Sequence, residues 1–287
     1  MKLAYLGPAG TFTEDALRAA TRGGESFEPL RTSSVHEAIV AVERGEADRA
    51  LVPFENSIEG SVRPTLDTLA HDAGAVTIVG EYDHAVSPSL IARERLPLER
   101  ISAVISHPQP LAQCARFIRE ELSGAETRAA SSTAEAVRLV SESAEPWAAL
   151  GSRSAAELYG CEVLRDGVED EAGNVTRFVW IAPTGTAPGE GAAWKTSLVF
   201  YELGEDHPGA LVDALREFSS RDVNLTRIES RPLRQELGRY MFFIDLEGAE
   251  EDDAVTAAIA GLREKAESVR VLGSYPVQAP GDAGATD

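Results

Sequence analysis

The segment PTGTAPGEG at residues 183–191 divides the sequence into two parts. It holds two prolines and three glycines, which disfavour helix and strand because proline lacks a backbone donor and glycine loses the most entropy on ordering. A chain of 287 residues also suits two domains, at roughly 150 residues per domain. We therefore predict a first domain over residues 1–182, a linker over 183–193, a second domain over 194–276 and a disordered tail over 277–287.

Before the linker, short apolar runs alternate with amphipathic patterns. The runs predict strands at residues 3–6, 50–53, 76–79, 86–92, 101–105, 148–150 and 178–182. The amphipathic patterns predict helices that begin near Thr13, Ser34, Ser61, Pro108, Ser132 and Ser152, with Ser61 as the cap of its helix. Alternation of this kind is typical of an α/β architecture with largely parallel sheets.

After the linker, the pattern changes to strand, helix, strand, strand, helix, strand. These elements are predicted at residues 196–203, 208–220, 225–230, 240–246, 252–266 and 269–275. Each of the two helices carries apolar residues at positions i, i+4 and i+7, so each offers one apolar stripe to a sheet. The order predicts a βαββαβ, ferredoxin-like domain with both helices on one face of its sheet and the other face free.

The charge of the chain excludes several classes of partner. With 47 acidic and 27 basic side chains, the formal net charge is −20, so phosphate backbones and anionic lipids are repelled. We predict no nucleic-acid partner and no membrane association, since no run approaches the roughly 20 apolar residues of a membrane span. The two cysteines and five histidines show no CxxC or HExxH spacing, and no GxSxG elbow occurs. The sequence thus predicts no metal, no hydrolase nucleophile and, without a signal peptide, a cytoplasmic location.

Four polar segments lie where a strand gives way to a helix, and a fifth, NVTRF, introduces the last predicted strand before the linker. They are GPAGTFT at 7–13, PFENSIEGS at 53–61, SHPQP at 106–110, SST at 131–133 and NVTRF at 174–178. Ligand-binding loops of α/β proteins lie at such strand ends, so we expect one cleft for a carboxylate-bearing ligand. Each helix start at this cleft adds about 0.3 to 1 kcal/mol to anion binding. The alternative for each segment is a turn whose hydroxyl only caps the next helix.

Taken in order, these motifs resemble those of the prephenate dehydratase family. The matching segments are GPAGTFTEDA, VPFENSIEGSV, SHPQPLAQC, SSTAEAV and NVTRF, followed by HPGALVDALREF and NLTRIESRP. The resemblance covers the chain to about Tyr275. It implies two α/β subdomains similar to periplasmic binding proteins, then a ferredoxin-like ACT regulatory domain. Because Met1 lies just ahead of the first strand, we expect the monofunctional form, without a fused chorismate mutase.

The resemblance implies loss of CO₂ and hydroxide from prephenate to give phenylpyruvate for L-phenylalanine biosynthesis, without a cofactor. We predict Thr176 as the catalytic residue, which hydrogen-bonds the departing oxygen, with a proton relayed from water or His107. Arg177 is expected to grip a substrate carboxylate with two parallel hydrogen bonds. The predicted substrate-binding set is Thr11, Phe12, Asn56, Ser57, Gln109, Ser132, Asn174, Arg177 and Phe178.

The two C-terminal motifs resemble the family's phenylalanine-binding motifs and imply allosteric regulation by L-phenylalanine. The implied effector residues are Gly209, Ala210, Leu211, Asn224, Leu225, Glu229 and Ser230. That site usually forms between paired ACT domains, so we expect a homodimer or a homotetramer. Two alternatives stay open: arogenate dehydratase, which performs the same elimination on the amino analogue, and a non-catalytic protein that binds a small anion.

Overall fold

Three β-sheets organise residues 1–24, 26–203, 207–234 and 237–278, which the computed structural model describes. The strands are β1 (Lys2–Leu6), β2 (Glu28–Thr32), β3 (Arg49–Asn56), β4 (Gly60–Ser61), β5 (Val76–Ala85), β6 (Ser89–Ala92), β7 (Ala103–Ser106), β8 (Glu126–Ala129), β9 (Trp147–Gly151), β10 (Glu162–Arg165), β11 (Val175–Pro183), β12 (Trp194–Leu203), β13 (Leu225–Pro232), β14 (Tyr240–Glu247) and β15 (Ala266–Pro276). The predicted disordered tail lies outside the described residues from residue 279 onward.

The helices lie between the strands in the predicted order, except that the helix predicted to begin near Pro108 is divided into two at Cys114. They are α1 (Phe12–Ala20), α2 (Val35–Glu43), α3 (Arg63–His71), α4 (Pro108–Gln113), α5 (Ala115–Glu121), α6 (Thr133–Glu142), α7 (Arg153–Tyr159), α8 (Ala210–Ser219) and α9 (Asp253–Arg263). A 3₁₀ turn spans Leu98–Arg100. Within the described ranges, no helix is long and apolar enough to cross a membrane.

The first lobe is built on a sheet of order β2-β1-β3-β11-β5, and the short β4 pairs with β3. β1 runs parallel to β2 and β3, whereas β11 runs antiparallel to β3 and β5. The prediction of largely parallel sheets is therefore only partly confirmed. The chain leaves this sheet after β5 and returns as β11, which enters between two strands that are already in place.

The second lobe is built on a sheet of order β10-β6-β9-β7-β8. β7 is parallel to β8 and β9, and β6 is antiparallel to β9 and β10. Two chain crossings, from β5 to β6 and from β10 to β11, join this lobe to the first. The predicted two-lobed α/β architecture is confirmed.

Besides the two-residue β4, three strands, β2, β8 and β10, are absent from the sequence predictions. Each lies at an edge of its sheet, and none of their residues is buried. An edge strand is held by main-chain hydrogen bonds on one side, so it needs no run of buried apolar side chains. The apolar periodicity that reveals the central strands is therefore missing from these three.

Hydroxyl side chains cap the helices largely as predicted. The hydroxyl oxygens of Ser34, Ser132 and Ser152 accept the N–H groups that begin α2, α6 and α7. The predicted cap Ser61 is wrong: α3 begins after Val62, which makes no side-chain cap bond. Ser61 Oγ instead accepts a hydrogen bond from the Arg227 guanidinium of the C-terminal domain.

The C-terminal domain has a sheet of order β13-β14-β12-β15, with all neighbours antiparallel. Helices α8 and α9 cover one face over a core that includes Phe218, and the predicted βαββαβ order is confirmed. The prediction that the other face is free is wrong, because this face is covered by the first lobe. Phe243 and Tyr275 pack with Ile78 and Val179 in a core shared with the first sheet. Successive apolar side chains along β12, β14 and β15 point to opposite faces of the sheet. Both faces of this sheet therefore have apolar side chains to bury.

Candidate active site

The cleft between the two lobes forms a cavity of about 760 Å³. The first lobe contributes the ends of β1, β2 and β3 and the start of β11, and the second lobe contributes the starts of α4 and α6. All five polar segments singled out in the sequence reach this cavity. The predicted residues that line it are Thr11, Phe12, Asn56, Gln109, Ser132, Asn174, Thr176 and Phe178.

Thr176 lies on β11 beside Asn56 of β3, and the two residues pair in register. Asn56 Nδ2 donates to Thr176 Oγ1 at 3.0 Å. The Asn56 amide is itself oriented, because its Oδ1 accepts the backbone N–H groups of Ile58 and Glu59, each at 3.0 Å. Since Thr176 Oγ1 accepts from Asn56, its own proton is available to donate to an oxygen in the cleft.

A chain of amides continues from Asn56 to the second lobe. Asn56 Nδ2 also donates to Asn174 Oδ1 at 2.6 Å, and Asn174 Nδ2 donates to Gln113 Oε1 at 3.4 Å. Gln113 lies at the end of α4, so this chain joins the lobes directly beside Thr176. The predicted set omits Gln113, whose one signal in the sequence is its position one turn after Gln109.

Three helices begin at the cleft. Thr11, His107 and Ser132 occupy the N-cap positions of α1, α4 and α6, and each side chain accepts a backbone N–H of its helix. All three residues also line the cavity. The partial positive charge of these helix starts favours an anion. These residues can thus cap a helix and also lie in contact with a ligand in the cleft.

The cleft carries little formal charge, although the chain as a whole is strongly acidic. Among the described residues that line it, Arg31 and His107 carry the titratable side chains and none carries a carboxylate. Arg31 Nε donates to the Tyr5 hydroxyl at 3.0 Å, and this hydrogen bond raises the pKa of Arg31. Sequence analysis missed Arg31 because it lies on the edge strand β2. In the described part of the chain, no group of three or more histidine, cysteine or acidic side chains is placed to hold a metal ion.

Arg177 does not lie in the cleft, and its predicted grip on a substrate carboxylate is corrected. Along β11 the side chains alternate, so Thr176 and Phe178 face the cleft while Arg177 points to the opposite face of the sheet. Arg177 Nη2 donates to Asp245 Oδ2 of the C-terminal domain at 2.6 Å. Burial opposes the positive charge of Arg177, but Asp245 and Glu81 outweigh it and raise the arginine pKa.

Ser57 is also absent from the cavity lining. Its hydroxyl accepts the Val175 N–H at 3.0 Å and donates to the Gly173 carbonyl at 3.5 Å. Ser57 therefore ties the loop after β3 to the entry of β11. Ser57 is exposed and holds the loop beside Asn56 without lining the cavity.

A second cavity of about 410 Å³ lies in the C-terminal domain. Of the implied effector residues, Gly209, Ala210 and Leu211 line it, together with side chains that include Tyr240 and Phe242 of β14. The remaining implied residues, Asn224, Leu225, Glu229 and Ser230, lie outside this lining, on β13 or directly before it. Within one chain, the two groups of residues do not meet in one pocket.

Comparison with known proteins points to one family. A family model described as prephenate dehydratase matches residues 3–186, and one described as ACT domain matches residues 198–264. The prephenate dehydratase of Mycolicibacterium gilvum is 41% identical over 98% of this chain and 93% of that protein.

Two solved structures extend the comparison. A prephenate dehydratase from Arthrobacter aurescens, in complex with L-Phe, superposes with a TM-score of 0.87 and 39% identity over 96% of this chain and 90% of that one. A protein described as a quorum quenching acylase, GqqA, superposes with a TM-score of 0.83 and 31% identity over 97% of this chain and 98% of that one.

Proposed function

The chain belongs to the prephenate dehydratase family and is a carbon–oxygen lyase, and we propose that Thr176 in the cleft between its lobes drives the elimination. The observation that carries this proposal is the hydrogen bond from Asn56 Nδ2 to Thr176 Oγ1. It leaves the threonine proton to a partner in a cavity that holds no carboxylate. The substrate is prephenate, and the products are phenylpyruvate, CO₂ and water.

The reaction breaks two bonds of the substrate ring. The bond to the ring carboxylate breaks to release CO₂, and its electron pair enters the ring. The ring in turn expels the hydroxyl group on its far side, with the electron pair of the C–O bond, and becomes aromatic. The departing oxygen gains negative charge in the transition state, and one proton from solvent completes the water that leaves.

Thr176 donates its hydroxyl proton as a hydrogen bond to that departing oxygen. A threonine is far too weak an acid to ionise at neutral pH, so it stabilises the developing charge while water or His107 supplies the proton. Phe178, which also faces the cleft from β11, packs against the ring. The starts of α1, α4 and α6 then stabilise the two negative charges of the substrate.

The charge of the cleft suits a decarboxylation. A strong ion pair to the ring carboxylate would stabilise the ground state more than the transition state, in which that charge leaves as neutral CO₂. We assign Arg31 to the carboxylate of the pyruvyl side chain, which keeps its charge throughout. Neutral donors, Thr11, Asn174 and Gln109, remain for the rest of the substrate.

Substitution of Thr176 tests this assignment. Thr176→Ala is expected to lower kcat about a hundredfold, since removal of one donor to a developing oxyanion costs about 3 kcal/mol. Thr176→Ser keeps the hydroxyl and retains more of the activity. Steady-state turnover of prephenate, with circular dichroism to verify the fold, measures both variants. Wild-type kcat in Thr176→Ala would remove Thr176 from the mechanism.

Two alternative functions are distinguished by the substrate that the protein converts. Arogenate differs from prephenate by one ammonium group in place of a carbonyl, so arogenate dehydratase remains the alternative activity. Turnover of each substrate by the same preparation separates the two. A protein that binds prephenate and releases no phenylpyruvate would instead be the non-catalytic anion-binding protein.

For regulation, we assign L-phenylalanine to the cavity beside Gly209, Ala210 and Leu211. The wall of this cavity combines apolar side chains, which suit a phenyl ring, with backbone groups at the start of α8. The similarity to an L-Phe complex from Arthrobacter aurescens supports this assignment. A second copy of the chain would bring Asn224, Leu225, Glu229 and Ser230 to the cavity, so we propose a homodimer or a homotetramer.

We retain the domain limits 1–182, 183–193 and 194–276. They are supported by the end of β11 at Pro183 and the start of β12 at Trp194. We also propose a cytoplasmic location. Cys114 and Cys161 are free thiols, as expected in a reducing compartment, and burial raises the pKa of Cys114 to about 12, so this thiol is inert.

A further inference from the structure

A carboxylate of the ACT domain lies directly behind the cleft. Asp245 belongs to β14 and is 1% exposed. Its Oδ2 accepts from Arg177 Nη2 at 2.6 Å, and its Oδ1 accepts from Ser197 Oγ at 2.6 Å. Ser197 Oγ in turn lies 2.7 Å from the Tyr275 hydroxyl. Both carboxylate oxygens are thus bonded, and β12 and β15 of the ACT sheet fix the position of Asp245.

Arg177 connects Asp245 to three strands of the catalytic lobe. It follows Thr176 on β11, its Nη2 lies 3.1 Å from Glu55 Oε2 on β3, and its Nη1 lies 3.4 Å from Glu81 Oε2 on β5. Its guanidinium also stacks on the Phe54 ring, 4.9 Å from the centroid. One side chain therefore holds β3, β5 and β11 together from the face opposite the cleft.

The two strands that Arg177 joins also carry the Asn56–Thr176 hydrogen bond. Glu55 precedes Asn56 on β3, and Arg177 follows Thr176 on β11. The pairing of β11 with β3 shifts register between Arg177 and Phe178, so a bulge lies at this point. A bulge interrupts the ladder and leaves the local strand geometry to side-chain contacts. At this bulge, those contacts are made by Arg177.

The cluster holds charges of both signs, and Asp83 of β5 lies near it as a further carboxylate. Glu55, Glu81 and Asp245 face Arg177, Arg227 and Lys195, with Lys195 Nζ at 2.6 Å from Glu81 Oε2 and Arg227 Nε at 3.7 Å from Glu55 Oε1. Lys195, Arg227 and Asp245 come from the ACT sheet, and the other three come from the catalytic lobe. Removal of the Asp245 carboxylate takes from the buried Arg177 guanidinium its shortest ion pair, so the guanidinium shifts toward its other partners.

We propose that Asp245, although it lies in the ACT domain, is a positioning residue for the elimination: through Arg177 it fixes the segment of β11 that presents Thr176 to the departing oxygen. This inference rests on the role of Thr176 proposed above. A misplacement of about 1 Å at a reacting group costs up to a hundredfold in rate, so a contact on the far face of the strand has a kinetic effect.

A double-mutant cycle in the full-length chain tests the proposal. The proteins are wild type, Asp245→Asn, Thr176→Ala and the double variant, each measured for kcat and KM with prephenate. We expect Asp245→Asn to lower kcat about tenfold with little change in KM. In the Thr176→Ala background the same substitution is expected to change kcat less than about twofold, because residues that act as a unit are not additive.

A second variant and a control complete the design. Ser197→Ala removes one hydrogen bond from Asp245 and leaves no charge unpaired, so it gives a smaller effect with the same dependence on Thr176. It decides the question if Asp245→Asn does not fold. Asp67→Asn is the matched control: Asp67 of α3 also joins the two domains, through ion pairs with Arg231 and Arg234 rather than with a residue of β3 or β11. We expect wild-type kcat from this control.

Equal losses of kcat from Asp245→Asn in both backgrounds, or wild-type kcat in a folded Asp245→Asn protein, would overturn the proposal. Those results leave the role of Thr176 intact. A Thr176→Ala protein with wild-type kcat would instead remove Thr176 from the mechanism and, with it, the route by which Asp245 acts. A comparable loss in Asp67→Asn would show a general effect of domain contacts and would also overturn the proposal.

Discussion

Arg31 brings a guanidinium to the cleft. It lies on β2, a strand without the apolar periodicity that marks the central strands. Its Nε is held by the Tyr5 hydroxyl at 3.0 Å, so the outer nitrogens remain for a ligand. A planar guanidinium suits a carboxylate because it offers two parallel donors. Arg177, the arginine within the family motif, instead forms ion pairs with Asp245, Glu55 and Glu81.

Substitution of Arg31 tests this division of roles at the scale of one residue. Arg31→Gln is expected to raise KM for prephenate about tenfold and to change kcat little, since it removes one charge-assisted contact that is equal in ground and transition states. Arg44→Gln is the matched control, because Arg44 is exposed at the end of α2, away from the cleft. Equal KM values for the wild type and Arg31→Gln would refute the assignment.

At the scale of elements, the ACT sheet packs tightly against the catalytic lobe where β15 meets β5. A Cβ atom added at Gly273 would lie 2.1 Å from the Ile78 carbonyl oxygen and 2.8 Å from Ile78 Cβ. Only glycine permits this approach of two backbones. The contact belongs to the shared core that covers the second face of the ACT sheet.

Gly273→Ala is therefore expected to lower the free energy of unfolding by about 1 to 3 kcal/mol, the usual cost of an overpacked core. Gly124→Ala is the control, because a Cβ atom there meets no atom within 4 Å. Urea denaturation monitored by tryptophan fluorescence measures both variants. A stability of Gly273→Ala equal to that of Gly124→Ala would mean that the two elements separate at little cost.

At the scale of the whole molecule, β14 runs between two sites. Tyr240 and Phe242 line the cavity of the ACT domain, and Asp245, three residues further, bonds Arg177 behind the catalytic cleft. A ligand that changes the position of β14 thus has a short mechanical path to Thr176. Coupling between such sites typically amounts to about 1 to 3 kcal/mol.

Binding of L-phenylalanine to the intact protein tests the ACT cavity. Calorimetric titration of the wild type is expected to show binding, and Ala210→Trp is expected to abolish it by filling the cavity. Ala257→Trp, on the exposed side of α9, is the matched control and binds as the wild type does. No heat of binding in the wild type, or undiminished binding in Ala210→Trp, would contradict the assignment.

The sequence predicts the central elements well because patterns of neighbouring residues mark them. Apolar runs mark the buried strands, and hydroxyls at helix starts mark the caps, as at Ser132. The edge strands β2, β8 and β10 escape because main-chain pairing, which any sequence can make, holds them. Because β2 was not among the predicted strands, Arg31 was left out of the predicted site. The five motif segments of that site were identified.

The amino-acid sequence by itself determined the order of the central elements and the motifs that meet at one cleft, and it predicts a division at residues 183–191, since these depend on neighbouring residues. Tertiary structure alone decided where the side chains of Thr176 and Arg177 lie. They are adjacent in one motif, yet strand alternation sends one side chain into the cleft and the other into the ACT domain. Which face meets a ligand and which meets a second domain depends on residues such as Asp245, 68 positions away, and no local pattern encodes that distance.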